Sequence, residues 1–181
     1  MRKVTWSAAC SLDLMLAGPD GGLDWMRWSD DAAAIAAAGW RGVDTLLMGR
    51  KTYDFAAKSG GSDAGESPIR TFIFSRTMME APNGATLVAT DPTAFVKALK
   101  QQEGGDIMLM GGGELAGVLI AGGAVDEIGL NLHPVLLGGG APCFGALAAR
   151  VDLILLEVRP LAKDCVYLLY RVGQAGNSAQ T

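Results

Sequence analysis

Apolar and polar residues alternate at the start of the chain. Val4, Trp6 and Ala8 share one side of KVTWSAAC (3–10), the period-two signature of a strand. GPDGGLDW (18–25) then breaks the pattern and reads as a mobile loop. SDDAAAIAAAG (29–39) offers Ser29 as an N-cap, acids in the first turn, an alanine body and Gly39 as a stop, which predicts a helix. VDTLLMG (43–49) is a continuous apolar run of the kind buried in parallel sheets, and RKTYDFAAK after it has helical composition. A surface loop is expected at 59–68, followed by strands at RTFIFS (70–75) and ATLVA (85–89). Asp91 as N-cap, with Pro92 at the first helical position, opens TAFVKALKQQ. GGDIMLMGGGELAGVLIAGG repeats strand, glycine turn and helix, closed by Gly122 and Gly123.

Beyond that point only strand patterns remain, in AVDEIGLNLHPVL, VDLILLEVRPL and CVYLLYRV, with LLGGGAPCF between the first two. Alternation followed by successive strands predicts an α/β fold, with a mostly parallel sheet, flanking helices and an antiparallel C-terminal edge. Residues 173–181 lack core-forming content and are expected to be a disordered tail.

Composition narrows this picture. A chain of 181 residues, 50% of them hydrophobic, supports one filled core and is too short for two ordinary domains, so residues 1–172 are read as one domain. The net charge of −4 argues against a general nucleic-acid binder, which carries a basic face. The expected partners are a small molecule and a second copy of the chain. Cys10, Cys143 and Cys165 are odd in number and show no C-x-x-C spacing, which suits reduced thiols in a cytoplasmic protein and indicates no metal site. MRKVTWSAACSLDLMLAG is interrupted by Asp13 and reads as a strand rather than a signal peptide. No uncharged apolar run reaches the roughly 18 residues needed to span a bilayer, so no membrane partner is expected.

Three motifs carry candidate chemistry. LLMGRKTYDF (46–55) sets Arg50 and Lys51 at a helix start, where the dipole disfavours a cation by roughly 0.3–1 kcal/mol. An anion held between them reverses that sign, so Arg50, Lys51 and Thr52 are candidates to grip a phosphate; two solvated cations are the alternative. MGGGELAG (110–117) satisfies G-x-G-x-x-A through Gly111, Gly113 and Ala116, and its backbone N–H groups either cradle a pyrophosphate or form a plain tight turn. It comes late in the chain, and His133 stands where a Rossmann fold has a strand-end acid. SRT (75–77) ends a strand with two hydroxyls and an arginine; alone it is a common loop sequence, and beside the other two motifs it is suited to a ribose phosphate and hence to NADPH over NADH. Beyond the carboxyl ends of strands in an open sheet, both glycine turns can face one crevice.

Strand-MGRKTY-helix, strand-SRT, strand-GGGEL-helix and then DEIGLNLHPVLLGGGAPCF together resemble the dihydrofolate-reductase-like superfamily. The resemblance is to the branch of the reductase domain of the bifunctional riboflavin-biosynthesis deaminase-reductase. It runs from Val4 to about Val172, and its most specific part is D-E-x-x-L-x-x-x-P-V-L-L-G-x-G from Asp126 to Gly140. It implies a single-domain dihydrofolate-reductase-like fold with a sheet of about eight strands, and frequent dimers. It also implies NADPH held by Gly49, Arg50, Lys51 and Thr52, by Ser75, Arg76 and Thr77, and by Gly111, Gly112, Gly113, Glu114 and Leu115. The implied activity is hydride transfer to a carbon–nitrogen or carbonyl double bond, as in 5-amino-6-(5-phosphoribosylamino)uracil reductase. A dihydrofolate or other pterin reductase, and a non-catalytic nucleotide-binding dimerisation module, are the alternatives. Family members commonly read S-L-D-G where this chain has Ser11, Leu12, Asp13 and Leu14, so that turn is expected to differ in shape. The single histidine, with no H-x-E or P-C-x-x-C, excludes the zinc-dependent deaminase step.

In folate reductases an acid early in the first helix supports proton delivery, which points to Asp31, with Asp24 and Asp30 behind it; the helix dipole alone also favours acids there. Trp25 and Trp28 in GLDWMRW flank the same loop and are candidates for the substrate pocket, as a lid over a planar heterocycle or as a dimer contact. Packing at helical i, i+3 spacing is their other reading. His133, without an acid or cysteine at metal spacing, reads as structural. VDLILLEV and CVYLLYRV offer apolar surface and an edge that a symmetry mate can cover.

Overall fold

The alternation at the start of the chain becomes β1 (Val4–Ser11), with Val4, Trp6 and Cys10 fully buried. This computed structural model describes residues 1–58, 68–81, 84–145, 147 and 150–173. The loop expected at 59–68, apart from Pro68, and the tail expected at 173–181, apart from Gly173, lie outside the described residues. After β1 come β2 (Met15–Ala17), α1 (Asp30–Gly39), β3 (Val43–Gly49), α2 (Arg50–Lys58), β4 (Arg70–Phe74) and β5 (Ala85–Val88). Then follow α3 (Pro92–Lys100), β6 (Asp106–Met110), α4 (Gly113–Ala121), β7 (Glu127–His133), β8 (Ala141–Pro142), β9 (Leu153–Pro160) and β10 (Val166–Val172), with a short 3-10 turn at Ala162–Asp164.

Eight strands form one sheet in the order β5-β4-β3-β6-β1-β7-β10-β9. The first six are parallel, and β10 runs antiparallel to both β7 and β9, which is the antiparallel edge expected. The small β2–β8 pair was not anticipated, because strands this short show no periodicity. β1 pairs with β6 from Val4↔Ile107 to Ser7↔Met110, and continues beside β7 as far as Ser11↔His133. Its last four residues therefore project past the end of β6.

Helix ends follow local chemistry. The Asp91 carboxylate accepts the Ala94 N–H at 2.6 Å and Pro92 follows it, as the N-cap pattern predicts. Gly123, at φ +65°, lets the Ala124 N–H return to the Leu119 carbonyl at 2.9 Å and closes α4. One expectation for α1 needs correction. Ser29 precedes the helix in an extended conformation, but its hydroxyl donates to the Asp31 carboxylate and caps no backbone N–H. Gly39 is the last residue of the helix, where the stop was expected, and Trp40 forms the C-cap, its N–H returning to the Ala37 carbonyl at 3.3 Å.

Helices α3 and α4 touch each other and bury Val96, Leu99, Leu119 and Ile120 in one cluster with Val4, Trp6, Ile107, Leu109 and Ile128. Each such side chain stabilises the fold by about 1.5–3 kcal/mol. Ala32 and Ile35 of α1 pack with Leu161, Cys165 and Tyr167, and a Cβ on Gly39 would lie 3.6 Å from Met108 Cε. Lys100 is buried because its ammonium donates to both oxygens of Asp126 at 2.7 Å. All three cysteines are free and buried.

Candidate functional site

The carboxyl ends of β3, β4 and β6 bring the three sequence motifs to one rim. Gly49 ends β3 and Arg50 opens α2. The Arg50 guanidinium donates through Nη1 to Thr77 Oγ1 at 3.0 Å, and its Nε lies 3.4 Å from Asp54. Lys51 Nζ stands 3.7 Å from Glu114. Thr52 lies against Gly111, where an added Cβ would meet Thr52 Oγ1 at 2.2 Å. The SRT segment folds on itself, with the Thr77 and Met78 N–H groups donating to Ser75 Oγ at 3.2 and 3.0 Å. Arg76 is exposed and makes no ion pair among the described residues. Solvated pairs of this kind contribute at most about 1 kcal/mol, so these cations remain available to an anion.

The glycine turn is built for close approach. Gly111 has φ +66° and its carbonyl accepts the Trp6 indole N–H at 3.1 Å, which ties the turn to β1. Gly112 is the N-cap of α4 and brings no side chain, so no side-chain cap covers the helix start. The first amides of a helix have no partner within it, which leaves the N–H groups of Gly113, Glu114 and Leu115 suited to a pyrophosphate. Ala116, the third position of the fingerprint, is fully buried and packs helix on sheet. This uncapped terminus, with Lys51 beside Glu114 and Thr52 against Gly111, is suited to a phosphate-bearing ligand such as a nicotinamide dinucleotide.

The turn after β1 is closed, with the Leu14 N–H on the Ser11 carbonyl at 2.9 Å. Leu14 takes φ +60°, a conformation glycine adopts freely and leucine does not. Asp13 was missed as an organiser. Its carboxylate accepts the Ser11 hydroxyl at 2.6 Å and the N–H groups of Leu137 and Gly138 at 3.1 and 2.8 Å, which pins the LLGGG loop. These bonds, led by that from Ser11, hold its pKa below the usual carboxylate range. The signal available was an acid within a Ser-x-Asp turn.

The candidate acids are dispersed. Asp24 and Asp30 are exposed. One oxygen of Asp31 accepts the Ser29 hydroxyl and the Ala32 N–H, the other the Ala162 N–H at 2.7 Å. Those bonds lower its pKa and keep it ionised, which suits a clamp between α1 and the β9–β10 turn better than a proton donor. Trp25 and Trp28 precede α1, so helical i, i+3 packing is not realised. The Trp25 ring meets His133 edge-on at 5.4 Å and donates to the Gly22 carbonyl at 3.2 Å, while Trp28 is about half exposed. His133 is buried and accepts the Arg27 N–H on Nδ1 at 2.9 Å; burial, then the Arg27 charge, lowers its pKa and keeps it neutral.

Among the described residues, no group of three or more His, Cys, Asp or Glu is placed to hold a metal, and no helix is long and apolar enough to cross a membrane.

An eight-stranded, mostly parallel sheet with glycine turns at the ends of β3 and β6 defines the dihydrofolate-reductase-like fold. The dihydrofolate reductase of Enterococcus faecalis complexed with NADP(H) superposes with a TM-score of 0.70 at 16% identity, covering 94% of this chain and 96% of that one, a likeness of fold alone. Residues 2–167 match the RibD C-terminal domain, and the chain belongs to that family. It is 30% identical over 179 residues to the uncharacterized protein YyaP of Bacillus subtilis, covering 93% of this chain and 94% of that protein. A protein of Shewanella sp. PV-4 named for riboflavin biosynthesis superposes with a TM-score of 0.78 at 26% identity, covering 95% of this chain and 99% of that one.

Proposed function

We propose that this chain is an NADPH-dependent reductase of the riboflavin-pathway type, acting on 5-amino-6-(5-phosphoribosylamino)uracil or a close pyrimidine relative. The observation that carries this is the meeting of Arg50 with Thr77, Lys51 with Glu114 and Thr52 with Gly111 on one rim. The family, and the riboflavin-biosynthesis name of its Shewanella neighbour, support the pathway. Bound at the rim, NADPH would supply a hydride.

The chain's own residues do the rest. The amides of Gly113, Glu114 and Leu115 take the pyrophosphate, and Arg50 and Lys51 add charge beside it. Arg76, with Ser75 and Thr77, takes the 2′-phosphate through a planar fork. The protein works in the cytoplasm as a homodimer through the edge strand β9, whose Leu153, Ile154, Leu155 and Val158 are exposed.

The test is a tryptophan-fluorescence titration with NADPH and with NADH, on the wild type, Arg50→Ala and Arg76→Ala. Saturable binding that prefers NADPH, with the preference lost in Arg76→Ala, supports the assignment. Oxidation of NADPH by the ribosylaminopyrimidine and not by dihydrofolate then selects the substrate. Binding without turnover on either returns the chain to a nucleotide-binding module, and no binding sinks the reductase.

A further inference from the structure

The stretch between β2 and α1 folds largely on itself. The Gly21 N–H returns to the Gly18 carbonyl at 2.9 Å, the Gly18 N–H to Gly22 at 3.1 Å and the Met26 N–H to Leu23 at 3.1 Å. Its end is docked on the far side of the sheet. The Arg27 N–H donates to His133 Nδ1 at 2.9 Å, the Arg27 carbonyl lies 3.8 Å from Cys165 Sγ, and the Lys163 ammonium donates to the Trp28 carbonyl. Trp25, two residues before Arg27, sets its ring edge-on to the same imidazole. Lys163 and Asp164 both take left-handed φ, +59° and +61°, a strained turn that presents Lys163 to the strap.

His133 is buried at the end of β7, and its bond to Arg27 works in one protonation state only. Because Nδ1 accepts the Arg27 N–H, the neutral ring carries its proton on Nε2, which is buried and has no hydrogen-bond partner among the described residues. A second proton goes on Nδ1 and turns two donors toward each other, leaving a buried charge without an acceptor. Cys165 Sγ, 3.5 Å from Nδ1, is a weak acceptor, and burial raises its thiol pKa, so it supplies no thiolate to pair with an imidazolium. The neighbouring carboxylates are engaged elsewhere: Asp31 with Ser29 and Ala162, Asp13 with Ser11 and Gly138, and Asp164 beside the Arg27 guanidinium at 3.9 Å.

We propose that His133 is a pH-sensitive latch for the Trp25–Trp28 segment: the neutral imidazole holds the Arg27 amide and seats Trp25, and the imidazolium releases both. Burial, then the Arg27 charge, lowers the imidazole pKa. A base depressed in this way stabilises the seated form fully above its unfolded value of about 6.5, and that contribution is lost as pH falls through the lower folded value. His133 is the single histidine of the chain, so a transition between pH 5 and 7 has one natural source. The latch operates whether or not the chain is a reductase, since every readout below is taken without nucleotide.

The test is nuclear magnetic resonance on the full chain from pH 8 to 4.5, following the His133 imidazole, hydrogen-exchange protection of the Arg27 amide, and the Trp25 indole N–H, assigned with Trp25→Phe. The imidazole is expected to titrate below 6.5, with Arg27 protection and the Trp25 resonance changing at the same midpoint. Protection should fall by about tenfold for each pH unit between that midpoint and 6.5. His133→Asn keeps an acceptor near the place of Nδ1 and cannot take up a proton there. It should retain Arg27 protection at neutral pH and show no transition between pH 5 and 7. His133→Phe, with no acceptor, should leave Arg27 unprotected at every pH; if it does not fold, the wild type and His133→Asn carry the test. Arg27 protection that stays constant while the imidazole titrates, an imidazole that stays neutral until the whole chain unfolds, or a transition that persists in His133→Asn overturns the latch.

Discussion

Thr52 stands so close to Gly111 that a Cβ on the glycine would lie 2.2 Å from the threonine Oγ1 and 2.5 Å from its Cγ2. The start of α2 and the turn before α4 therefore fit together only if one of them has no side chain. Gly111→Ala adds this clash to a left-handed φ that by itself costs about 1–2 kcal/mol. The variant is expected to lose at least about 2 kcal/mol, roughly 4–8 °C in Tm by calorimetry for a chain of this size, together with NADPH affinity. Adding Thr52→Gly should recover part of the stability and not all of it, since φ is unchanged. Full recovery would show that contact alone matters.

Arg50 is a different case, because its partners Asp54 and Thr77 are all near solvent. An exposed i, i+4 pair contributes about 0.3–0.5 kcal/mol, so Arg50→Ala should move Tm by no more than about 2 °C. NADPH affinity should fall at least about tenfold, as for loss of a charge-assisted bond, and depend less on salt. A variant that melts early yet binds NADPH normally would make Arg50 a structural residue only.

Leu14 holds a backbone conformation that favours glycine. The informative comparison is Leu14→Gly against Leu14→Ala, since both remove the same packing. Glycine is expected to be the more stable by about 1 kcal/mol, the reverse of the usual order, as read by urea denaturation. A more stable alanine variant would mean that the turn relaxes out of the left-handed region.

Asp31 has a folded-state pKa below its ordinary value, set first by the Ser29 hydroxyl and then by the Ala162 N–H. A depressed carboxylate contributes stability that is present above its unfolded pKa of about 3.9 and lost as pH falls through the lower folded value. Asp31→Ala should therefore be less stable than wild type at neutral pH, with the gap closing below about pH 4. Parallel acid limbs for the two proteins would remove Asp31 from the pH dependence.

Much of the architecture was legible in local pattern. Alternation at Val4 and Trp6, the apolar run ending at Gly49, and Asp91 with Pro92 each report on a few neighbouring residues, and each appears as an element close to where it was expected. The short β2–β8 pair escaped because two or three residues carry no period. Ser29 looked like an N-cap by type, and the competing acceptor two residues on took its hydroxyl.

The sequence by itself determined which segments bear phosphate-binding chemistry: cations at a helix start, hydroxyls and an arginine at a strand end, glycines before a second helix. It also determined the strand and helix order from which the mostly parallel sheet follows. Only the tertiary structure decided that these segments meet. Strand order sets β3 beside both β4 and β6, so their ends share one rim although Arg50 and Thr77 are 27 residues apart. It also decided that Asp31, reaching the Ala162 N–H across 131 residues, is a clamp. Periodicity is a property of near neighbours. The surroundings of a carboxylate or a hydroxyl are fixed by groups that only folding brings within reach.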